Sequence, residues 1–330
     1  MRLIRAFTAS CCLAACAVAT ASATAGERPI VRVASVSQFA ATPHPSSAIV
    51  NGYSTGSGPA GHPYFLRKAG GGSDDHDASL GFIGFSSLPI ESSMDPRPNR
   101  GQRLVYSECV AEAGTTTCGL LAQSLTSPAI RPERVTDSVT GAKDRLPSTY
   151  GDATVFLRTP AGERSGHLRL APSIGAPSQP LPGGPQGSGT ATATGIGLRD
   201  RDVAYVWRWT TSSGVVRNAL RSHRIGGSTT TLVSMPIRRG VLIGPSWQGS
   251  RLIFGVRTRS GASTWYRYDP RTHRYMSAKA PGALAAVTAT RRFLYWETAG
   301  ASALDTGLCR SPGCALNLSN PRFRSARAPT

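Results

Sequence analysis

The clearest structural signal in this chain lies in residues 244–254, which read GPSWQGSRLIF, and in residues 264–272, which read TWYRYDPRT. The first segment places a glycine turn before an apolar run that ends in Phe254. The second is a β-rich run that ends in Asp269 and Pro270, after a polar tip that contains Gly261. Short β-rich runs joined by glycine turns are typical of antiparallel strands, so we predict a β-hairpin here.

An apolar run that ends in an aromatic residue and continues into a polar one occurs six times. The six aromatic residues are spaced by 41, 50, 49, 49 and 41 residues. They are Phe65, Tyr106, Phe156, Tyr205, Phe254 and Tyr295. A four-stranded propeller blade takes about 40 to 50 residues. We therefore predict an all-β chain in which residues 26–330 form one six-bladed β-propeller with these aromatics as its repeat core. The alternative is a β-sandwich with chance aromatic spacing.

Turn-forming residues stand five positions before four of these aromatics, where one strand should end and the next begin. They are Gly101, Gly151, Asp200 and Gly249. The column is imperfect, because the first copy has Gly61 one place later and the last copy has Thr290.

Two further segments belong to the predicted domain. Residues 29–34 have strand composition and precede the first repeat, so we expect them to pair beside residues 316–318 in the last blade. Residues 172–189 are rich in Pro, Gly and Ser. Because the repeat resumes on schedule at Tyr205, we interpret them as a long loop between blades.

Residues 244–272 resemble the TolB-type, WD-repeat-like propeller repeat of bacterial envelope proteins. That repeat shows a Ser-Trp pair, a glycine turn, an apolar-aromatic strand and a second strand that ends in an aromatic residue and Asp. The other copies keep the aromatic strand and lack the Ser-Trp, so the resemblance over residues 60–318 is weaker. It implies a fold in which Ser246 and Trp247 pack between blades, and it implies no catalytic residues.

The first 25 residues are typical of an export signal. A basic start at Arg2 and Arg5 precedes an uncharged, Ala-rich run, and residues 23–25 form a small-x-small cleavage site. We predict a signal peptide over residues 1–25 and a secreted or cell-envelope protein; a retained membrane anchor is the alternative to its removal. Residues 13–16 also resemble a lipobox, which leaves a lipid anchor on Cys16 as a second possibility.

Four cysteines remain after the signal, in two close pairs. Two local pairs in an oxidising compartment predict the disulfides Cys109–Cys118 and Cys309–Cys314. A structural zinc site needs a four-ligand set such as two C-x₂-C pairs, and neither spacing matches.

The chain is strongly basic, with a formal net charge of +19, or +17 once the two signal arginines are removed. Such a charge attracts polyanions. Lys68, Lys143 and Lys279 are the only lysines, and codon bias in a GC-rich genome explains arginine over lysine. That bias does not explain the excess of positive charge. The arginines are scattered rather than clustered, which argues against a nucleic-acid partner.

Few residues suggest chemistry. Residues 73–77, an acidic cluster with His76, lack the ligand order of a calcium loop, so we interpret them as a solvated hairpin tip. The six histidines have no metal-ligand spacing, and residues 244–249 are not a nucleophile elbow because the second glycine is one place late. Glu108 and Glu297 share a repeat position and either face a central channel or lie on a strand face.

We therefore expect a monomeric, non-catalytic binding or scaffold module without metal, cofactor or catalytic residues. Its expected partner is a protein or an anionic envelope polymer. The alternative is a propeller enzyme, a lyase or glycosidase, that acts on an acidic polymer.

Overall fold

The computed structural model is all-β, and the 25 elements in its described part are strands joined by turns and loops. The described residues are 28–32, 35–41, 47–53, 63–69, 75–78, 92–95, 103–112, 114–124, 131–187, 189–289, 294–298 and 315–330. The predicted signal peptide lies outside them. No helix in this part of the chain is long and apolar enough to cross a membrane.

The strands are numbered in the order in which they follow one another through the chain. In chain order they are β1 (Arg28–Arg32), β2 (Ser35–Ala41), β3 (Ser47–Tyr53), β4 (Pro63–Ala69), β5 (Asp75–Ala78), β6 (Ser92–Met94), β7 (Arg103–Glu112), β8 (Thr115–Ser124), β9 (Glu133–Arg134), β10 (Lys143–Tyr150), β11 (Ala153–Thr159), β12 (His167–Ala171), β13 (Gln179–Pro180), β14 (Ala191–Arg199), β15 (Asp202–Thr210), β16 (Val216–Arg224), β17 (Thr229–Pro236), β18 (Val241–Gln248), β19 (Arg251–Arg257), β20 (Ser263–Asp269), β21 (Arg274–Lys279), β22 (Leu284–Ala289), β23 (Leu294–Thr298), β24 (Ala315–Ser319) and β25 (Arg324–Ala326).

The strands form successive antiparallel meanders of four. Strands β2–β5 make one sheet and β14–β17 another, while β18–β21 form a third that gains β25 at its outer edge. Strands β6–β9 and β10–β13 are two meanders that share an eight-stranded sheet through one parallel pairing, between Lys143 and Cys118. Antiparallel neighbours joined by tight turns explain why sequential strands pair throughout.

The N-terminal strand pairs where the sequence predicted. Strand β1 lies antiparallel to β24, with Arg28 opposite Leu318 and Arg32 opposite Ala315, so the sheet order is β1-β24-β23-β22. The first strands of the six meanders also contact one another in series: β2 with β6, β6 with β10, β10 with β14, β14 with β18, β18 with β22, and β22 with β2.

Five of the six repeat aromatics lie on the second strand of their meander. Tyr106, Phe156, Tyr205 and Phe254 are almost completely buried there, and β23 carries Tyr295. The first copy is different, because Phe65 lies on β4, the third strand, opposite Asn51. An apolar run ending in an aromatic occurs on the second or the third strand of a meander, so the pattern alone could not place this copy.

The turn-forming residues that precede the aromatics share one backbone conformation. Gly151, Asp200 and Gly249 each stand between the first and second strands of a meander with φ of 68°, 53° and 59°. This left-handed conformation favours glycine, and Asp or Asn when another residue occurs. The predicted turn residues therefore mark the hairpins that set the register of each second strand.

The core consists of apolar layers between neighbouring sheets. Successive side chains on β15 point to opposite faces, so Tyr205 and Trp207 pack toward β11 and β12 while Ala204 and Val206 pack toward β18 and β19. A third layer joins Trp265 to Trp296, whose rings meet edge-on at 5.8 Å. The sheets β14–β17 and β18–β21 are thus covered on both faces.

The Pro/Gly-rich segment 172–189 is the predicted long loop and contains only the short strand β13. It packs against the second strand of the next sheet. The hydroxyl of Tyr205 donates to the carbonyl of Pro182 at 3.1 Å, and Trp207 Nε1 donates to the carbonyl of Pro185 at 3.0 Å. The loop carbonyls therefore accept hydrogen bonds from the polar atoms of buried aromatic side chains.

Candidate binding site: an arginine pocket

One predicted cysteine pair is a cross-strand bond. Cys109 on β7 and Cys118 on β8 face each other in the hairpin, and their Sγ atoms are bonded at 2.07 Å. Cys309 and Cys314 lie outside the described residues.

The glutamate position does not have a constant role among the repeats. Glu108 is partly exposed on β7, the second strand of its meander, and Glu297 lies on β23, also a second strand. It is the first strands that contact one another in series. Arg158, at the same repeat position, is buried and paired with Asp144. This position is therefore a strand-face position whose chemistry changes from sheet to sheet.

Ser246 and Trp247 connect neighbouring sheets, as the repeat resemblance implied. The Ser246 hydroxyl accepts a hydrogen bond from the Ala289 amide at 2.9 Å, and Trp247 Nε1 donates to the Gly197 carbonyl at 3.1 Å. Ser148, at the equivalent place on β10, accepts a hydrogen bond from the Leu198 amide at 2.8 Å. These serines join the first strands of adjacent sheets.

The remaining candidates show no metal cluster in the described part of the chain. Residues 75–77 form part of β5, and their side chains lie outside the description. His167 contacts Glu163 at 3.0 Å, His223 contacts Thr229 at 3.0 Å, and His273 contacts Tyr268 at 2.9 Å. Each of these contacts is local in sequence.

A polar pocket of about 190 Å³, here called the arginine pocket, lies where the β18–β19 turn meets the C-terminal segment. Seven described residues line it: Gln248, Arg251, Arg267, Leu294, Asn320, Pro321 and Phe323. Two guanidinium groups and two carboxamides therefore face one small volume.

Local structure explains how the two arginines reach the pocket. Arg251 begins β19 immediately after the turn that Gly249 makes with its left-handed φ. Arg267 lies two residues after Trp265 on β20, so both side chains leave the same face of the strand. Trp265 fills the apolar layer toward β22–β24, whereas Arg267 reaches the polar rim of that layer.

The nearest partners of the Arg267 guanidinium are a thioether sulfur, which is a weak hydrogen-bond acceptor, and an aromatic ring. Its central carbon lies 4.6 Å from the ring centroid of Phe323, and Nη2 lies 3.0 Å from the sulfur of Met276. The buried Nε has no hydrogen-bond partner. Arg251 is paired only loosely, with Nε 3.9 Å from Asp269 Oδ2. The positive charge on the Arg267 side of the pocket is therefore poorly neutralised by the described residues.

The electrostatics follow from this geometry. Burial lowers the pKa of Arg267, and the nearby positive charge of Arg251 lowers it further. A guanidinium group carries a positive charge at physiological pH. Two cations that share a partly desolvated pocket repel each other, so an anion placed between them would relieve that repulsion.

The lining is suited to holding an oxyanion. Guanidinium groups form charge-assisted, often bidentate hydrogen bonds to carboxylate and phosphate, and the amides of Gln248 and Asn320 can add neutral ones. The described lining residues include no nucleophile and no group that titrates near pH 7.

Sequence reasoning did not select these residues. Arg267 stands between Tyr266 and Tyr268 in the clearest repeat, and a charged residue inside an aromatic strand was an available signal. Asn320 and Phe323 gave no comparable signal, because their role depends on the path of the chain after β24.

No known protein family and no curated protein matches the chain. Among solved structures it is similar to a prolyl endopeptidase, with 11% identity and a TM-score of 0.49 over 92% of this chain and 50% of that one. It is also similar to oligopeptidase B from Leishmania major, with 12% identity and a TM-score of 0.45 over 81% of this chain and 37% of that one. The chain thus spans half or less of either protein, and similarity at this level assigns it no activity.

Proposed function

We propose that the chain is an exported, non-catalytic binding module built as a six-bladed, TolB-like β-propeller. Six meanders of four strands support six blades, as do the serial contacts of their first strands, which return from β22 to β2. The pairing of β1 with β24 adds an N-terminal strand to the last meander, an arrangement that leaves few free sheet edges.

The proposed location is the cell envelope or the medium outside the cell. Its support is the export signal over residues 1–25, with a lipid anchor at Cys16 as the alternative mode of retention. In that compartment the Cys109–Cys118 bond would persist, because the environment is oxidising.

The proposed partner is an acidic envelope polymer bound through the arginine pocket. The observation that carries this proposal is Arg267: its guanidinium faces the pocket beside Arg251, and its nearest partners are a sulfur atom and an aromatic ring. An acidic group would supply the hydrogen bonds that these partners do not. The net charge of +17 on the mature chain would speed encounter with a polyanion and make binding weaker in salt.

The test is polymer binding by the mature protein and two matched variants. Arg267→Gln removes one of the two pocket charges, and Arg259→Gln removes one charge from the exposed tip of the β19–β20 hairpin. For binding to a polyuronate such as alginate, we expect about a tenfold or greater loss with Arg267→Gln, the value of one charge-assisted hydrogen bond. Arg259→Gln should change affinity by less than about twofold.

Three outcomes would contradict the proposal. Equal losses in both variants would show attraction to net charge alone, without a site. Turnover of the polymer that disappears on replacing Glu108 would favour the enzyme alternative. Binding to a folded protein from the envelope, with no binding to alginate or to a phosphate polymer, would reassign the partner.

A further inference from the structure

This inference rests on the proposed function and concerns the same pocket. We infer that the arginine pocket holds a single oxyanion group, a carboxylate or a phosphate, and that residues 320–326 complete the site, with Phe323 orienting Arg267.

The size of the pocket limits its occupant. Pockets that enclose a whole small-molecule ligand usually measure about 300–1,000 Å³. At about 190 Å³, the arginine pocket has room for roughly six waters, since each occupies about 30 Å³ in the liquid. It therefore accommodates one acidic group of a larger partner, while the rest of that partner stays outside.

The walls come from two separate parts of the chain. Gln248, Arg251 and Arg267 belong to the hairpins of β18–β20, whereas Asn320, Pro321 and Phe323 belong to the segment that follows β24. That segment leaves β24, crosses the pocket and joins the outer edge of the neighbouring sheet as β25. The site exists in this form only when the segment is docked.

Phe323 and Met276 together determine where the Arg267 guanidinium lies. The ring of Phe323 lies under the guanidinium at 4.6 Å, and the sulfur of Met276 contacts its Nη2. Met276 lies on β21, where it pairs with Ser325 of β25. Phe323 therefore supplies the direct contact from the C-terminal segment, and Met276, the cross-strand partner of both Arg267 and Ser325, lies between β20 and β25.

The docking of this segment has few hydrogen-bonded partners. Strand β25 forms only three residue pairs with β21: Tyr275 with Ala326, Met276 with Ser325, and Ser277 with Arg324. Such short edge pairing opens at low free-energy cost. An anion that binds only the docked form stabilises docking, and by linkage docking raises anion affinity by the same factor.

The experiment uses the mature chain with two probes, glucuronate and inorganic phosphate, followed by calorimetry and amide hydrogen exchange. We expect at least one probe to bind; the probe that binds identifies the oxyanion. Phe323→Leu keeps an apolar contact and removes the ring, and it should weaken binding about two- to fivefold, the value of one cation–π contact. Phe323→Trp should restore binding, because Trp is the best cation–π partner. Bound probe should slow exchange at those amides of residues 324–326 that donate to β21.

A uronate hexamer tests whether the pocket holds a single acidic group. If the pocket holds one group, the hexamer should bind no more than about sixfold tighter than glucuronate, the statistical factor for six equivalent groups. A gain of a hundredfold would overturn it, because the polymer would then contact an extended surface.

The failures of the two proposals are distinguishable. If neither probe nor alginate binds to the wild type, the proposed function fails along with this inference. If a probe binds and Arg267→Gln abolishes binding, while Phe323→Leu binds normally and exchange at β25 is unchanged, the proposed function stands and the role of the C-terminal segment is wrong.

Discussion

Arg158 and Arg267 are both strand arginines at the rim of an apolar layer, yet their surroundings are opposite. Arg158 on β11 donates from Nε and Nη2 to the two carboxylate oxygens of Asp144, each at 2.7 Å, and again to the Asp137 carbonyl at 2.8 Å. Arg267 on β20 meets a sulfur atom and an aromatic ring. The Arg158 guanidinium finds strong hydrogen-bond acceptors within the fold. The Arg267 guanidinium keeps donors that an external acceptor could use.

The pKa directions reflect the same contrast. Hydrogen bonding to Asp144 raises the pKa of Arg158, whereas burial and Arg251 lower that of Arg267. A buried cation with a bidentate carboxylate is a structural element, because either partner left alone is costly. A partly buried cation beside a like charge is suited to an external anion. Charge alone therefore does not distinguish a structural arginine from a binding one.

The largest expected effect is at the structural arginine. Asp144→Ala leaves the Arg158 charge buried without its carboxylate, so we expect a loss of about 3–5 kcal/mol in the free energy of unfolding. Chemical denaturation of the mature protein measures it. The double variant Asp144→Leu/Arg158→Met removes both charges and should be more stable than Asp144→Ala. A loss under about 1 kcal/mol in Asp144→Ala would mean that Arg158 is solvated and the contrast is wrong.

The cross-strand disulfide gives the second-largest effect, in the sheet that contains Arg158. Replacing Cys109 and Cys118 together by Ala removes a bond that closes a short loop, and we expect a loss of roughly 2–3 kcal/mol. Melting of the oxidised and the doubly substituted proteins checks this value. Ligand affinity at the arginine pocket should be unchanged, and a parallel loss of affinity would show that the two regions are coupled.

At Arg267, in the candidate binding site, the effect on stability should be small. Arg267→Met removes the charge and keeps the length of the side chain, so the contacts of the guanidinium with Phe323 and with the Met276 sulfur are lost; the cation–π contact contributes about 0.5–1 kcal/mol. The same denaturation assay measures it beside Asp144→Ala. If Arg267→Met lowers the free energy of unfolding as much as Asp144→Ala does, Arg267 has a structural role. The main argument for an anion site in the pocket is then lost.

The smallest effect concerns acid stability near Arg158. The hydrogen bond from the Thr136 hydroxyl, followed by the charge of Arg158, lowers the pKa of Asp137 below its ordinary value. A carboxyl with a lowered pKa contributes stability that is complete above the unfolded pKa near 3.8 and is lost as the pH falls through the folded value. Asp137→Asn should therefore flatten the loss of stability below about pH 3.8, measured by melting at several pH values. Asp152→Asn, at an exposed turn, is the matched control; an equal change there would remove the assignment.

Much of the fold could be predicted from the sequence because the signals for it are local. The turn residues and the aromatic spacing each depend on residues close in the chain, and they predicted the strands that carry Tyr106, Phe156, Tyr205 and Phe254. The position of each strand within its meander could not be predicted, since a local pattern does not count the strands that precede it, and Phe65 lies on a third strand.

The candidate binding site could not be predicted from the sequence. From the sequence alone came the β class, the Cys109–Cys118 pair and the excess of arginine over acid, and the export signal stays a prediction. Only the tertiary structure separated Arg158 from Arg267, because their partners, Asp144 and Phe323, lie 14 and 56 residues away in the chain. A guanidinium becomes structural or available according to what the fold brings within about 3 Å of it, and that distance depends on how sheets and the C-terminal segment pack.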